Sequence, residues 1–310
     1  MPAIKIKLKI AGILILMESD CPLQKLTRKE KKDIASERFQ DFFCKCKRRA
    51  DIAIDVRVVD KLPLIQKATK LFVMRRPPDK KSNWQLLKRG SGYIYKCDIM
   101  DVEQVMFINK SFDKVKAYLL HKKATAHAWY PTEIVYDFLQ IFLIHYFAKR
   151  NLGIFVHSMG IKDASGKGVV FAGKSGAGKS TLARIWHDNS RAKVLNDDRI
   201  VIRKTKGRFF IYGVPWHGEF TDHLVSRMER ASLSKLFFIR HSERNHVRPL
   251  TEAEIFGLLY PAVFPTFWDK GGLGNIASFC RDIIKDVPCF DLGFAKDKRI
   301  VDFITRLNKH

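Results

Sequence analysis

FAGKSGAGKSTLA, residues 171–183, is the stretch on which the reading of this chain turns. Gly173, Gly178, Lys179 and Ser180 satisfy the pattern G-x-x-x-x-G-K-[ST], with Lys174, Ser175, Gly176 and Ala177 between them and Thr181 just behind. In such a loop glycines let backbone N–H groups turn inward around phosphate oxygens. The helix that follows adds the positive end of its dipole. Lys179 is then expected to reach the β- and γ-phosphates of a nucleoside triphosphate, and the Ser180 hydroxyl to ligate Mg²⁺. Context strengthens the match, because GVVFA (168–172) reads as a strand and KSTLARIWH (179–187) as a helix. Nucleotide binding, with ATP or another triphosphate and Mg²⁺, is therefore expected.

An ordinary ATPase with this loop needs a hydrophobic strand ending in Asp, usually far along the chain. Here Asp197 and Asp198, in KVLNDDRIVIR, arrive 17 and 18 residues after Ser180. Neighbouring residues on a strand face opposite ways. Two acids can face one phosphate only if the strand ends or bulges at the pair. One carboxylate can then hold Mg²⁺ while the other accepts the proton of an attacking hydroxyl. An Asp pair is ordinarily a solvated turn, and its place shortly after the loop reverses that preference. Upstream, VHSMGI sets His157 and Ser158 at the end of a strand whose successor feeds the loop.

His157, the glycine-rich hairpin after it, GKSGAGKST and LNDDRIVI together resemble the catalytic domain of HPr kinase/phosphorylase. That domain is related in core architecture to ATP-dependent phosphoenolpyruvate carboxykinase. The resemblance covers roughly residues 153–215. Beyond it, YGVPWHGE, FFIRHSERN and FPTFWD look like a branch of HPr-kinase-related proteins that carry their own N-terminal domain. The resemblance implies that Lys179 and the loop glycines bind the triphosphate and that Ser180 and Asp197 hold the metal. Asp198 would be the proton acceptor, with the two aspartates able to exchange roles, and His157 would sit beside the transferred phosphate. Thr181 stands where the best-known members often carry an acid, so it has no part in catalysis. Those members also carry a glycine-rich basic segment after the Asp pair that engages the protein substrate, and this chain lacks it. GVPWHGE (213–219) stands roughly in its place. His217 and Glu219 there either line an acceptor pocket or assist the metal. Alternatively Trp216 packs a core and His217 satisfies a backbone carbonyl. Arg240, His241 and Asn245 are weaker candidates that equally suit a strand-end cap.

The 310 residues, 46% of them apolar, suffice for two modest domains with cores of their own. No apolar run reaches the roughly 18 residues of a membrane helix, and FLQIFLIHYFA (138–148) reads as a buried helix. The six cysteines show no C-x-x-C and no paired Cys/His spacing of zinc sites. They read as free thiols of a reducing, cytoplasmic compartment. The net charge of +25 is spread along the chain, with 31 basic against 16 acidic residues in 1–150 and 26 against 16 in 151–310. Clusters occur at RKEKK (28–32), KCKRR (45–49) and LKRG (87–90). Such a field attracts nucleic acid, anionic lipid or acidic proteins. The alternative is a solvated lysine-rich surface, and MPAIKIKLKI at the start reads as a half-buried strand with such a face.

The first half reads as short strands: AIKIKLKI, AIDVRVV, KLFVM, NWQLLKR turning through GSG into YIYKC, QVMFIN and KVKAYLL. Helical spacing appears in 28–44, and a strong helix runs from Pro131 to Arg150. Asn151 and Gly153 close that helix and place the domain boundary. The second half reads as strands GIFVHSMGI, GVVFAG, KVLN, RIVIR, RFFIYGV and KLFFIRH, with helices from Lys179 and at 251–259, 276–286 and 298–307. The expectation is a two-domain α/β protein. A β-rich α+β domain (1–150) precedes a P-loop core of the HPr-kinase/PEP-carboxykinase type (151–310). Its expected activity is Mg²⁺- and nucleotide-dependent phosphorylation of a hydroxyl on a protein, a peptide or a small metabolite such as serine. A nucleic-acid-binding P-loop ATPase or RNA-directed kinase is the second reading, and an ATP-dependent carboxykinase the third. Expected partners are the phosphate acceptor, a polyanion on the basic surface and further copies of the chain, with no membrane span.

Overall fold

Along IKIKLKI every second residue is apolar, and only a strand puts alternate side chains on one face. This strand, β1 (Ile4–Ile10), is the edge of an eight-stranded sheet. The protein is described here from a computed structural model at residues 3–23, 39–74, 82–99, 102–122, 128–218 and 229–307. The chain divides into two compact units, Met1–Leu143 and Ile144–His310, so the division falls within the helix that ends near residue 150.

In the first unit the remaining strands are β2 (Ile13–Ser19), β3 (Ile52–Val58), β4 (Thr69–Met74), β5 (Ser82–Arg89), β6 (Gly92–Ile99), β7 (Val102–Ile108) and β8 (Lys114–His121). Their order is β1-β2-β3-β8-β7-β6-β5-β4. The pairings β2–β3 and β3–β8 are parallel and the rest antiparallel. One face carries Ile54, Val56, Met106, Ala117 and Leu119, all buried. Phe138 and Phe142 cover the same core, at ring separations of 5.5 Å from Tyr95 and 5.8 Å from Phe112. The helix from Pro131 is not regular. Glu133–Leu139 is π-wound before α1 (Gln140–Lys149) begins. Gln104 Nε2 donates to the Glu133 carbonyl at 3.0 Å, which competes for the first acceptor of the helical ladder. Of the helical spacing in 28–44, residues 28–38 lie outside the described residues, and Phe39–Phe42 form a 3-10 turn. Strand β2 escapes a reading by alternation because ILILM lies inside the sheet and is buried on both faces nearly throughout.

In the second unit the strands are β9 (Gly153–Lys162), β10 (Lys167–Ala172), β11 (Lys193–Asn196), β12 (Arg199–Thr205), β13 (Arg208–Tyr212), β14 (Arg230–His241), β15 (His246–Pro249) and β16 (Cys289–Phe294). Strand β10 pairs antiparallel with β9 and parallel with β14. The pairings β9–β12, β12–β13 and β13–β14 therefore close a ring of strands. Strand β14 continues into a parallel pairing with β16, which β15 flanks. Continuous apolar runs such as GVVFA and KLFFI mark strands covered on both faces. Val170, Ala172, Leu236 and Phe238 pack toward α3 (Glu252–Leu259) and α4 (Lys270–Asp286). Val169, Phe171, Phe237 and Ile239 pack toward α2 (Lys179–Asn189) and α5 (Arg299–Leu307).

Two elements here were not read from the sequence and one starts earlier than expected. Strands β15 and β16 carry little periodicity. In β16, Gly293 interrupts the run because the His246 ring lies on it, 2.1 Å from where a Cβ would stand. Helix α4 begins at Lys270, six residues before the expected start. KGGLG has poor helical propensity, but the Asp269 carboxylate accepts the Gly272 N–H at 3.1 Å and caps the helix. Among the described residues no helix is long and apolar enough to cross a membrane.

None of the six cysteines is in a disulfide. Burial pushes Cys280 and Cys289 up to about 12, and Cys97 is buried as well. Alkylation of the native protein near neutral pH, read by peptide mass spectrometry, should modify exposed Cys46 first and leave Cys97, Cys280 and Cys289 unmodified until denaturation. Early labelling of Cys280 or Cys289 would contradict this packing.

Candidate functional site

Loop 173–178 leaves the carboxyl end of β10 and enters α2. It lies beside the carboxyl ends of the parallel strands β14 and β16, the end at which open α/β sheets build their sites. Gly178 has φ +95 and precedes the first helical residue. A Cβ there would stand 2.7 Å from His241 Cε1 and 2.9 Å from Phe294 Cζ, so conformation and crowding both demand glycine. His241 Nε2 lies 3.2 Å from the Gly176 carbonyl and braces the loop from the end of β14. Arg240 instead grips Asp291 through Nε and Nη2, and Asn245 Oδ1 accepts the Ala295 N–H. Both secure strand ends.

Lys174, Ser175, Gly176 and Thr181 are exposed, Gly173, Ala177 and Ser180 are half-buried, and Lys179 is buried. Lys179 Nζ donates to the carbonyls of Gly173 at 2.9 Å and Lys174 at 3.0 Å. Its ammonium has three N–H groups, and these two bonds curl the loop around it. Burial pushes the Lys179 pKa down, against the opposing pull of Asp198 and Asp197.

The Asp pair occupies the bend between β11 and β12, where the pairing of β11 with β9 slips between Val194 and Asn196. The two carboxylates therefore do not follow strand alternation, and they enter different surroundings. Asp197 is 1% exposed. Its Oδ2 accepts the Ser180 hydroxyl at 3.1 Å and its Oδ1 the Gly218 N–H at 2.9 Å. Asp198 is half-buried. His157 Nδ1 meets its Oδ1 at 3.0 Å, and Arg199 Nε meets its Oδ2 at 3.1 Å. Residues 157 and 199 are direct partners across β9 and β12, and so they close on the carboxylate from one face. Burial acts to raise the Asp198 pKa. The His157 hydrogen bond and the charges of Arg199, His157 and Lys179 outweigh it, so the carboxyl titrates below its ordinary value.

Three contributors were missed from the sequence. Asn196 is fully buried. Its Nδ2 donates to the carbonyls of Val214 at 3.0 Å and Trp216 at 2.7 Å, and its Oδ1 accepts the N–H groups of Asp198 and Arg199, both at 2.9 Å. An Asn ahead of an acidic turn is a turn-stabilising signal in its own right. Arg199 reads locally as a strand residue. Phe264, from FPTFWD, walls this side: Arg199 lies over its ring at 5.4 Å and the His157 ring stands against it at 6.2 Å. No local signal announces that contact. Trp216 is a core residue packed near Phe155. His217 Nδ1 lies 2.9 Å from the Gly218 carbonyl, and Glu219 lies outside the described residues.

Among the described residues no three His, Cys, Asp or Glu side chains converge on a metal position by themselves. Ser180 and Asp197 supply two adjoining oxygens, one of them from a buried carboxylate. That suits Mg²⁺, which takes one or two protein carboxylates and completes its shell with phosphate oxygens and water. Nothing matches this chain among models of protein families or among curated proteins.

Two outcomes follow from this geometry. Asn196→Ala removes one partner from two buried carbonyls and two half-buried N–H groups and should lower stability by about 3 kcal/mol; a loss under about 1 kcal/mol in denaturant titration would show that the amide does not hold the bend. The depressed Asp198 pKa contributes stability that is present above the unfolded value of about 3.9 and is lost as pH falls through the folded value. Asp198→Asn should therefore flatten the acid limb of the stability–pH curve, and an unchanged limb would place the titrating group elsewhere.

Proposed function

We propose that this chain is a nucleotide- and Mg²⁺-dependent phosphotransferase that moves the terminal phosphoryl group of a triphosphate such as ATP onto a hydroxyl. The observation that carries the reading is the 3.1 Å contact between the Ser180 hydroxyl and Asp197. It joins the glycine loop to an acidic pair whose second member remains half-open beside it. The strand–loop–helix order, the closed ring of strands and the helices on both faces support assignment of the second unit to the P-loop core of the HPr-kinase/PEP-carboxykinase type.

In this reading the backbone N–H groups of residues 174–179 cradle the phosphates, and Lys179 shifts from its own loop carbonyls toward the β- and γ-oxygens. Ser180 and Asp197 hold the metal, which supplies charge neutralisation at the phosphates when bound. The acceptor oxygen forms its bond to the γ-phosphorus as the bond to the β-bridging oxygen breaks, and its proton passes to Asp198. A carboxylate held below its ordinary pKa is a weak base. A weak base suffices where the transition state is loose and catalysis is mostly positioning and charge stabilisation. His157 and Arg199 hold that carboxylate in place, and His157 borders the transferred group. The acceptor is a protein, a peptide or a small hydroxyl compound.

Incubation with cell extract and labelled ATP, with identification of the labelled species, supplies the assay. Lys179→Ala should abolish transfer and greatly weaken nucleotide binding in calorimetry. Asp197→Asn should raise the Mg²⁺ requirement. Asp198→Asn should slow turnover at saturating Mg²⁺ and nucleotide by about a hundred- to ten-thousand-fold. Unchanged nucleotide affinity in the lysine variant, or near-normal turnover in both aspartate variants, would overturn the proposal.

A further inference from the structure

Several lysines of the first unit line up on one face of its sheet. Cross-strand partners share a face of a sheet, and the register places Phe107 beside Lys116, and Tyr118 between Val105 and Arg57. Lys114 lies two residues before Lys116 on the same face, and Lys96 is the partner of Val105. Through Asp55 and Glu18 the row of Lys116 reaches Lys5, and through Ala53 and Leu16 the row of Lys114 reaches Lys7. Six strand steps from β5 to β1, at about 4.8 Å each, make a track of about 29 Å.

Charge on this face is unbalanced. The acids that the strands place here are already matched: Asp55 by Arg57 at 2.9 Å, Glu18 by Lys5 at 2.7 Å, and Asp98 and Glu103 by Lys122 at 2.8 and 3.7 Å. Lys9, Lys96, Lys114 and Lys116 have no acidic partner among the described residues. Arg89 lies over the ring of Phe107 at 5.4 Å, and Phe107 meets Tyr118 edge-on at 5.9 Å. Between Arg89, Ile94, Phe107, Lys114 and Lys116 is a hollow of about 390 Å³, within the size range of small-ligand pockets.

We propose that this face binds single-stranded nucleic acid, with the unmatched lysines and Arg89 on successive phosphates and a base in the hollow against Phe107. The chemistry distinguishes this partner from others that a basic surface attracts. A solvated lysine face needs no aromatic rings among its cations. An acidic peptide would meet the cations but offers no planar base to the rings. A duplex hides its base faces, whereas an open sheet with rings between cations presents the stacking platform and phosphate contacts that unpaired strands use. The surface lies wholly within the first unit and does not depend on the phosphotransferase reading.

The test is fluorescence anisotropy of the full-length protein with a labelled single-stranded RNA of mixed sequence, titrated against salt. Binding should weaken linearly in log–log form. The double variant Lys114→Gln/Lys116→Gln, at exposed positions that do not touch the core, should lower the slope by about 1.4, or about 0.7 per lost phosphate contact. Phe107→Leu keeps an apolar side chain and should weaken binding about tenfold at constant salt while leaving the slope unchanged. Lys179→Ala, which disables the nucleotide loop, should bind RNA as the wild type does. Absence of binding at low salt, equal or tighter binding of the matching duplex, equal displacement by polyglutamate, or loss of binding in the Lys179 variant would each overturn the proposal. The last would move the RNA to the nucleotide loop.

Discussion

The oxygens of a carboxylate shut away from water need hydrogen-bond donors. Asp197, 1% exposed, is met by the Ser180 hydroxyl and the Gly218 N–H. These partners come from the start of a helix and from the segment beyond β13. Meeting those two oxygens therefore fixes three stretches of chain relative to one another. Asn196 repeats the logic with neutral groups, since its buried amide joins the carbonyls of Val214 and Trp216 to the N–H groups of the bend. The glycine loop, the acidic bend and the segment after β13 stand or fall together.

Neighbours in sequence, Asp197 and Asp198 are made chemically unequal by what surrounds them. The first is enclosed and bound to a hydroxyl and an amide. The second is gripped by a histidine and an arginine yet stays half-open, with its carboxyl held below the ordinary range. Both residues lie in the bend between β11 and β12, outside strand alternation. The β9–β12 register then delivers His157 and Arg199 to the same carboxylate. Support comes from outside as well. His241 and Phe294, at the ends of two neighbouring parallel strands, close against Gly178 and leave room for no side chain there.

Electrostatics organise the two units differently. In the second, opposite charges are drawn into a small enclosed cluster where low polarity strengthens each contact. The sheet face of the first unit matches its acids locally and leaves lysines over, interleaved with half-buried rings. Part of the positive charge of the first unit is thus gathered on one sheet face.

Short-range regularities were legible from residues alone. Alternation marked β1, β3 and the hairpin β5–β6, unbroken apolar runs marked β10 and β14, and the glycine–lysine motif marked the entry to α2. The spacing of the Asp pair required a strand end at 197–198, and a bend lies there. These features depend on periods of 2 and 3.6 residues and on backbone freedom at glycine, which windows of about ten residues contain. Other features were decided only by tertiary structure. Strand β2 lacks alternation because Leu14 is buried on one face while Ile13, Ile15 and Met17 are buried on the other, and α4 starts among glycines because Asp269 caps it. Helix α1 is preceded by a π-wound stretch where a side chain from β7 reaches the Glu133 carbonyl. Arg199, Asn196 and Phe264 join the site through partners set by register and by loop packing many residues away. A sequence window states what each residue prefers. Which distant donor meets a buried charge is determined only when the sheet closes and water is excluded.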